Sequence, residues 1–196
     1  MELFSFYRLK INEFSQHSRT KSIVQSYSKF IKKGDSVLDV GCGDGILTDI
    51  IASDLKVKIT GCDIENYLLR KIQFSLMEKE NALPYPARSF DTVTFTDVLH
   101  HTSKANQELL INEASRVARK NIIIYEVNPS IKANIGDFLL NKLTHPSVPI
   151  TLTFRSKADW IKLLHKYFTH LTSEEIPGPK YAIFPHYILN VNKNKS

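Results

Sequence analysis

The sequence predicts a single doubly wound α/β domain: a mostly parallel sheet with an antiparallel last strand and helices on both faces. Three observations carry that expectation. The run Val37-Leu38-Asp39-Val40 ends in glycines at 41, 43 and 45, the pattern of a buried strand stopping in a tight turn. Strand-like and helix-like patterns then alternate as far as Val127. Two closing strand patterns lie too near each other for a parallel crossover, which takes a dozen residues or more, so they must form an antiparallel hairpin.

At 196 residues the chain holds one α/β domain with a full core and not two ordinary ones. Hydrophobic content of 42% and charged content of 23% belong to a soluble globular class. No apolar run is long enough to span a bilayer, and the aromatic and basic segment after Met1 lacks the pattern of a secretion signal. Two cysteines, Cys42 and Cys62, make no disulfide framework, so a reducing, cytoplasmic setting is expected, with both as small residues fitting one corner and no metal site. Net charge is +6, and residues 1–33 hold seven basic side chains against two acids. That balance suits either a solvated helix face or an anionic partner, and no nucleic-acid motif accompanies it.

In chain order, Phe4, Tyr7, Ile11 and Phe14 share one helical face over 3–14, and Ile23, Val24, Tyr27, Phe30 and Ile31 predict a second helix over 20–32. Gly34 and Asp35 lead into the first strand. Ile46, Leu47, Ile50, Ile51 and Leu55 predict a helix over 46–55, followed by a strand over 57–63 ending at Asp63. Residues 67–70 allow a short helix, and the period-two alternation of 71–78 predicts a third strand. A proline-stiffened loop (82–86) precedes a fourth strand over 92–99 and the pair His100-His101. A helix over 103–118 places Leu109, Leu110, Ala114 and Val117 inward. Residues 121–127 (NIIIYEV) are a continuous apolar strand, as expected where helices cover both faces. A further helix is suggested by Ile131, Ile135, Phe138, Leu139 and Leu143, then a proline-bounded loop over 145–149. Ser156 with Asp159 opens a helix in the manner of a capping box, with Trp160, Leu163, Leu164 and Phe168 on its apolar face. Strands over 169–176 and 181–191 flank Pro177-Gly178-Pro179.

The corner formed by the first strand, its glycines and the helix after it is a nucleotide-binding arrangement. Asp63 lies 22 positions beyond Gly41, about where a ribose finds its carboxylate. A dinucleotide fingerprint is G-x-G-x-x-G, and here Gly45 falls one place early with Ile46 in the third position, which weakens the NAD reading.

VLDVGCGDG, the acid of GCDI, LPYP with SFD, and DVLHH together resemble the class I S-adenosylmethionine-dependent methyltransferases, specifically the type-11 group, from about residue 19 onward. The resemblance implies a Rossmann-like domain with a seven-stranded sheet, S-adenosyl-L-methionine as cofactor and S-adenosyl-L-homocysteine as product. It implies that Gly41, Cys42 and Gly43 pass under the methionyl part, with Asp39 helping to hold the ammonium group. Asp63 would take the ribose hydroxyls, and Ile64 would lie against the adenine. Ala82 and Leu83 would approach the adenine edge, Thr96 would line the methionyl end, and His101 would look toward the methyl. Relatives carry an Asp four residues before the Leu of LP; here Lys79 stands there, leaving Glu78, Glu80 or Asn81 to recognise the adenine amino group.

His101, His100 and Glu126 are the candidate catalytic residues, since all stand where α/β strands end and ligands bind. A histidine suits general-base work near neutral pH, or it can simply shape the pocket. Glu126 and Asn128 either position an acceptor or pair with a basic neighbour, and Asp97 orients the histidines. Residues 1–33 and the insert 130–155 are the expected cover over the methyl acceptor, attached to a methyltransferase domain over 34–192. Phe4, Tyr7, Phe14, Phe138 and Phe154 suit either an acceptor with an apolar part or ordinary packing against the sheet. The expected function is methyl transfer to a small molecule, hydrophobic or anionic. Two alternatives are a non-catalytic S-adenosylmethionine-binding regulator and a lipid or quinone methyltransferase on a membrane surface.

Overall fold

Strand β1 (Ser36–Val40) anchors the sheet because four of its five residues are buried and it pairs on both edges. The structure, a computed structural model, describes residues 19–129, 152–176 and 186–193. Helix α1 (19–27) precedes β1. Then follow α2 (Ile46–Leu55), β2 (Lys58–Asp63), β3 (Gln73–Leu76), β4 (Phe90–Thr96), a 3₁₀ turn (Leu99–His101), α3 (Lys104–Val117) and β5 (Ala118–Val127). Helix α4 (Lys157–Leu164), β6 (Leu171–Ile176) and β7 (His186–Asn192) complete the described elements.

The described strands form one seven-stranded sheet in the order β3-β2-β1-β4-β5-β7-β6, as expected. Strands β1 to β5 pair in parallel, and β7 runs antiparallel to both β5 and β6. Strand order reverses between β1 and β4, which opens a crevice at their carboxyl ends.

Each strand feeds two cores because side chains alternate faces. Ile122 and Ile124 of β5 join Leu110, Ile111, Ala114, Trp160, Leu163 and Leu164 on the α3–α4 side. Ile123 and Tyr125 join Ile23, Tyr27, Ile31, Val37 and Ile51 on the α1–α2 side. Residues of α1, assigned from sequence to a cover segment, thus pack directly into the core. Ser156 and Asp159 form the expected capping box of α4.

Three local expectations are corrected. Residues 67–70 form no helix: the Asn66 side chain accepts from the Leu68 amide and the Asp44 carbonyl accepts from Leu69, so local turns take the bonds a helix would need. Leu109 is 46% exposed, and Ile111 takes its place inward. Strand β4 stops at Thr96 rather than 99, because Asp97 takes a left-handed backbone (φ 49°) and the chain turns. The expected helices at 3–14 and 131–143, the loop at 145–149 and the turn at 177–179 lie outside the described residues.

One polar residue sits inside the α1–α2 core. Alternation puts Asp39 on the same face as Val37, in register with Thr94 of β4. Its two oxygens accept from the hydroxyls of Thr48 on α2 (2.6 Å) and Thr94 (2.9 Å), and it is 3% exposed. Burial pushes its carboxyl up to about 6 despite those two bonds. The native state therefore holds a proton that the unfolded chain has released, so this residue lowers stability as pH rises through that window. Asp91 and Asp97 are shifted the opposite way: burial pushes both up, but Ser36 and Arg119 at Asp91, and Arg19 and His186 at Asp97, overcome it. Their contribution fades as pH falls below the ordinary carboxylate range, and it is common to any Asp39 variant. In urea unfolding, wild-type stability relative to Asp39→Asn should fall by on the order of 2 kcal/mol between about pH 4 and about pH 6. A difference that is constant or rises with pH would mean that Asp39 is ionised in the fold.

Candidate cofactor and acceptor site

The glycine corner is closed by the end of β2. Gly41 and Cys42 both donate backbone N–H groups to the Cys62 carbonyl, at 2.8 and 3.2 Å. Gly41 is left-handed (φ 73°), and a Cβ there would come within 2.1 Å of the Val98 side chain, so only glycine lets the β4 turn close over it. Gly43 is also left-handed (φ 54°), but nothing stands within 4 Å of where its Cβ would be. This is the open position at which a ligand could approach the backbone. Cys42 is spent on the corner itself: its side chain packs on Gly61, and its carbonyl accepts from Gly45. Burial pushes its thiol up to about 12, and pushes that of Cys62 up as well, so both are inert packing residues.

Asp63 ends β2 and reaches across to this loop. One carboxylate oxygen accepts from the Gly43 amide at 2.9 Å and the other from the Ile64 amide at 2.7 Å. Burial raises its carboxyl, while the amides oppose the rise. Each oxygen keeps acceptor capacity for a ribose hydroxyl. Ile64, 54% exposed, presents an apolar surface beside it. The acid, the open glycine and this surface fit an adenosyl group. Across the crevice Ala82 is half-buried, whereas the Leu83 side chain belongs to the core and its amide donates to Glu113 at 3.0 Å. Glu80 and Asn81, considered for the adenine edge, are both tied to Asn106 of α3. Lys79 and Glu78 are exposed.

The histidine turn is built around Glu126, 2% exposed at the end of β5. One of its oxygens accepts from the Val98 and Leu99 amides (3.1 and 2.8 Å), and the other meets His100 Nδ1 at 2.5 Å. His100 is buried, and its ring stacks on Phe154 at 4.9 Å. His101 is exposed and its ring lies 4.2 Å from that of His100. The Gln107 amide donates to the carbonyls of Leu99, Thr102 and Thr153, and Thr153 N donates to the His100 carbonyl at 2.7 Å. Those bonds pin the end of the expected insert onto the turn. Thr96 shares a 2.7 Å hydrogen bond with Tyr27 of α1.

The structure adds two residues that sequence reasoning missed. Arg19 of α1 pairs with Asp97, and His186 at the start of β7 meets the same carboxylate oxygen at 3.3 Å. A signal for Arg19 existed, since it falls on the helical stripe of Ile23 and Tyr27, where a cation is out of place unless paired. His186 carried none. Potential ligand atoms of Asp97, His100 and Glu126 lie within 4.8 Å of one another, but each of these side chains is already engaged within the protein.

A family model described as a methyltransferase domain matches residues 38–125. The 27-O-demethylrifamycin SV methyltransferase of Amycolatopsis mediterranei is 30% identical over 56% of this chain and 41% of its own. The chain spans less than half the length of the curated relatives it matches. Among solved structures, the putative methyltransferase complexed with the Haloferax volcanii Trm112 activator superposes with a TM-score of 0.71 at 12% identity, covering 93% of this chain and 92% of that one. Magnesium protoporphyrin IX methyltransferase from Synechocystis, with bound S-adenosylhomocysteine, gives a TM-score of 0.65 at 18% identity over 91% of this chain and 84% of its own. Those two likenesses concern the fold. No described helix is long and apolar enough to cross a membrane. The segment that matches the methyltransferase-domain model is the one that holds the glycine corner, Asp63 and the histidine turn.

Proposed function

We propose that the protein transfers a methyl group from S-adenosylmethionine to a small-molecule acceptor with an apolar part. The observation that carries this reading is Asp63, held on the Gly43 amide beside the open left-handed glycine at the strand switch point. Relatives named for 27-O-demethylrifamycin SV and for ubiquinone biosynthesis support a small-molecule acceptor. When bound, S-adenosylmethionine supplies a methyl group on a sulfonium, and its transfer is an in-line displacement that discharges the sulfur.

In this reading Asp63 accepts from the ribose hydroxyls, Ile64 covers the adenine, and Gly41 and Gly43 lie under the methionyl chain. Ala82 flanks the adenine, and Leu83 supports that wall from the core. Asp39 stiffens the corner from below through Thr48 and Thr94. Thr96, fixed by Tyr27, lines the methionyl end. The insert 130–155 would cover the acceptor, in keeping with Thr153 and Phe154 lying on the histidine turn. Alignment is the main task, and holding acceptor and donor together can contribute about 7–11 kcal/mol.

For an acceptor that must lose a proton, His100 is the base. Glu126 fixes its ring through Nδ1, the geometry of an oriented acid–base histidine. His101, exposed beside it, contacts the acceptor.

Two outcomes follow for calorimetry and turnover. Asp63→Asn keeps an acceptor for Gly43 but loses the charge, and should weaken S-adenosylhomocysteine binding roughly 10- to 100-fold; unchanged affinity would mean that another residue holds the ribose. Glu126→Gln should leave that affinity intact while slowing transfer to a phenolic acceptor about 10²- to 10⁴-fold, followed by S-adenosylhomocysteine release. Normal turnover by Glu126→Gln would remove the pair from the chemistry.

A further inference from the structure

The charged cluster of Arg19, Asp97 and His186 borders the crevice and belongs to none of the roles above. Asp97 is the first residue after β4, and the next residue, Val98, is the one that closes over Gly41. The cluster therefore adjoins the glycine corner on its β4 side, next to Thr96, which the methyltransfer reading assigns to the methionyl end. Three chain segments converge there: α1 brings Arg19, the β4 turn brings Asp97 and the start of β7 brings His186.

Two features set this cluster apart from an ordinary surface ion pair. Asp97 adopts a left-handed backbone (φ 49°), a conformation that costs a non-glycine residue about 1–2 kcal/mol. Such strain collects at functional positions and persists only where neighbours over-determine it. Here the Asp97 amide donates to the Tyr125 carbonyl at 2.8 Å while its side chain is held from two sides. Secondly, an arginine and a histidine meet one carboxylate oxygen. Among the described residues Arg19 engages Asp97 through Nη2, and its side chain is 35% exposed. A guanidinium carries five N–H donors in a fork that matches a carboxylate, so one contact leaves most of that fork for a second anion.

The cluster rests on the core: buried Tyr125 stacks on the His186 ring at 4.9 Å, and buried Tyr27 shares a hydrogen bond with Thr96. Residues 1–33, which include Arg19, carry seven basic side chains against two acids, a balance that favours an anionic partner.

We propose that Arg19 is the specificity-determining residue of the acceptor site: its guanidinium binds a carboxylate on the acceptor, and Asp97 is the internal competitor that holds it ready. His186 shares the load on Asp97 when Arg19 turns part of its fork to the ligand. The inference rests on the methyltransfer reading and names the acceptor class for that site, a carboxylate attached to an apolar group.

Two halves of one ion pair should then give opposite effects, which a structural bridge cannot do. The full chain saturated with S-adenosylhomocysteine is titrated with 3-phenylpropanoate and with 3-phenylpropanamide, which share an apolar body and differ in charge. The wild type should bind the acid about tenfold tighter than the amide. Arg19→Gln should erase that preference, whereas Asp97→Asn should tighten acid binding severalfold, since asparagine tolerates the left-handed backbone. Equal binding of acid and amide by the wild type, an acid that goes unbound, or weakening of the acid by both substitutions overturns the inference while the methyltransfer reading stands. Failure of S-adenosylhomocysteine itself to bind overturns both.

Discussion

The site depends on the way the end of β2 ties down the glycine turn of β1. The Cys62 carbonyl takes two amides from that turn, and the Asp63 carboxylate takes a third. Left-handed glycines make the turn sterically allowed, but their freedom would also leave it loose. Three bonds from a neighbouring parallel strand remove that freedom before any ligand arrives. Because Asp63 is both a strut of the turn and the proposed ribose acceptor, folding of the corner and recognition of the nucleoside draw on the same side chain.

The opposite wall follows a similar plan with a buried carboxylate at its centre. Glu126 would be costly to bury alone. It takes two amides of the β4 turn and the His100 ring, so its position fixes the turn and the histidine together. Asp97, at the start of that turn, is held by Arg19 of α1 and His186 of β7. Elements that are distant in sequence therefore meet at the carboxyl edge through charge, while apolar packing holds them elsewhere.

Much of this was legible in the sequence, for reasons that differ by element. Helix α2 matches its expected bounds because glycines end the strand before it and an apolar stripe runs its whole length. Strand β5 was plain from its continuous apolar run, although it begins at Ala118 rather than Asn121. The capping box of α4 was readable because both partners lie three residues apart. Failures came where a side chain competes with the backbone: Asn66 replaces a helix by a turn, and strained Asp97 ends β4 early. Long-range pairs were least legible. His100 and Glu126 could be placed on one edge by strand order, but their contact could not. Arg19 meets a partner 78 positions away, and only its place on an apolar stripe hinted at one.

The central claim is that this corner is built for an adenosyl group rather than a dinucleotide. Calorimetric titration of the full chain with S-adenosylhomocysteine and, separately, with NAD tests it most directly. The account predicts saturable binding of S-adenosylhomocysteine, diminished in Asp63→Asn, and none of NAD at the same concentrations. Binding of NAD without binding of S-adenosylhomocysteine would contradict it.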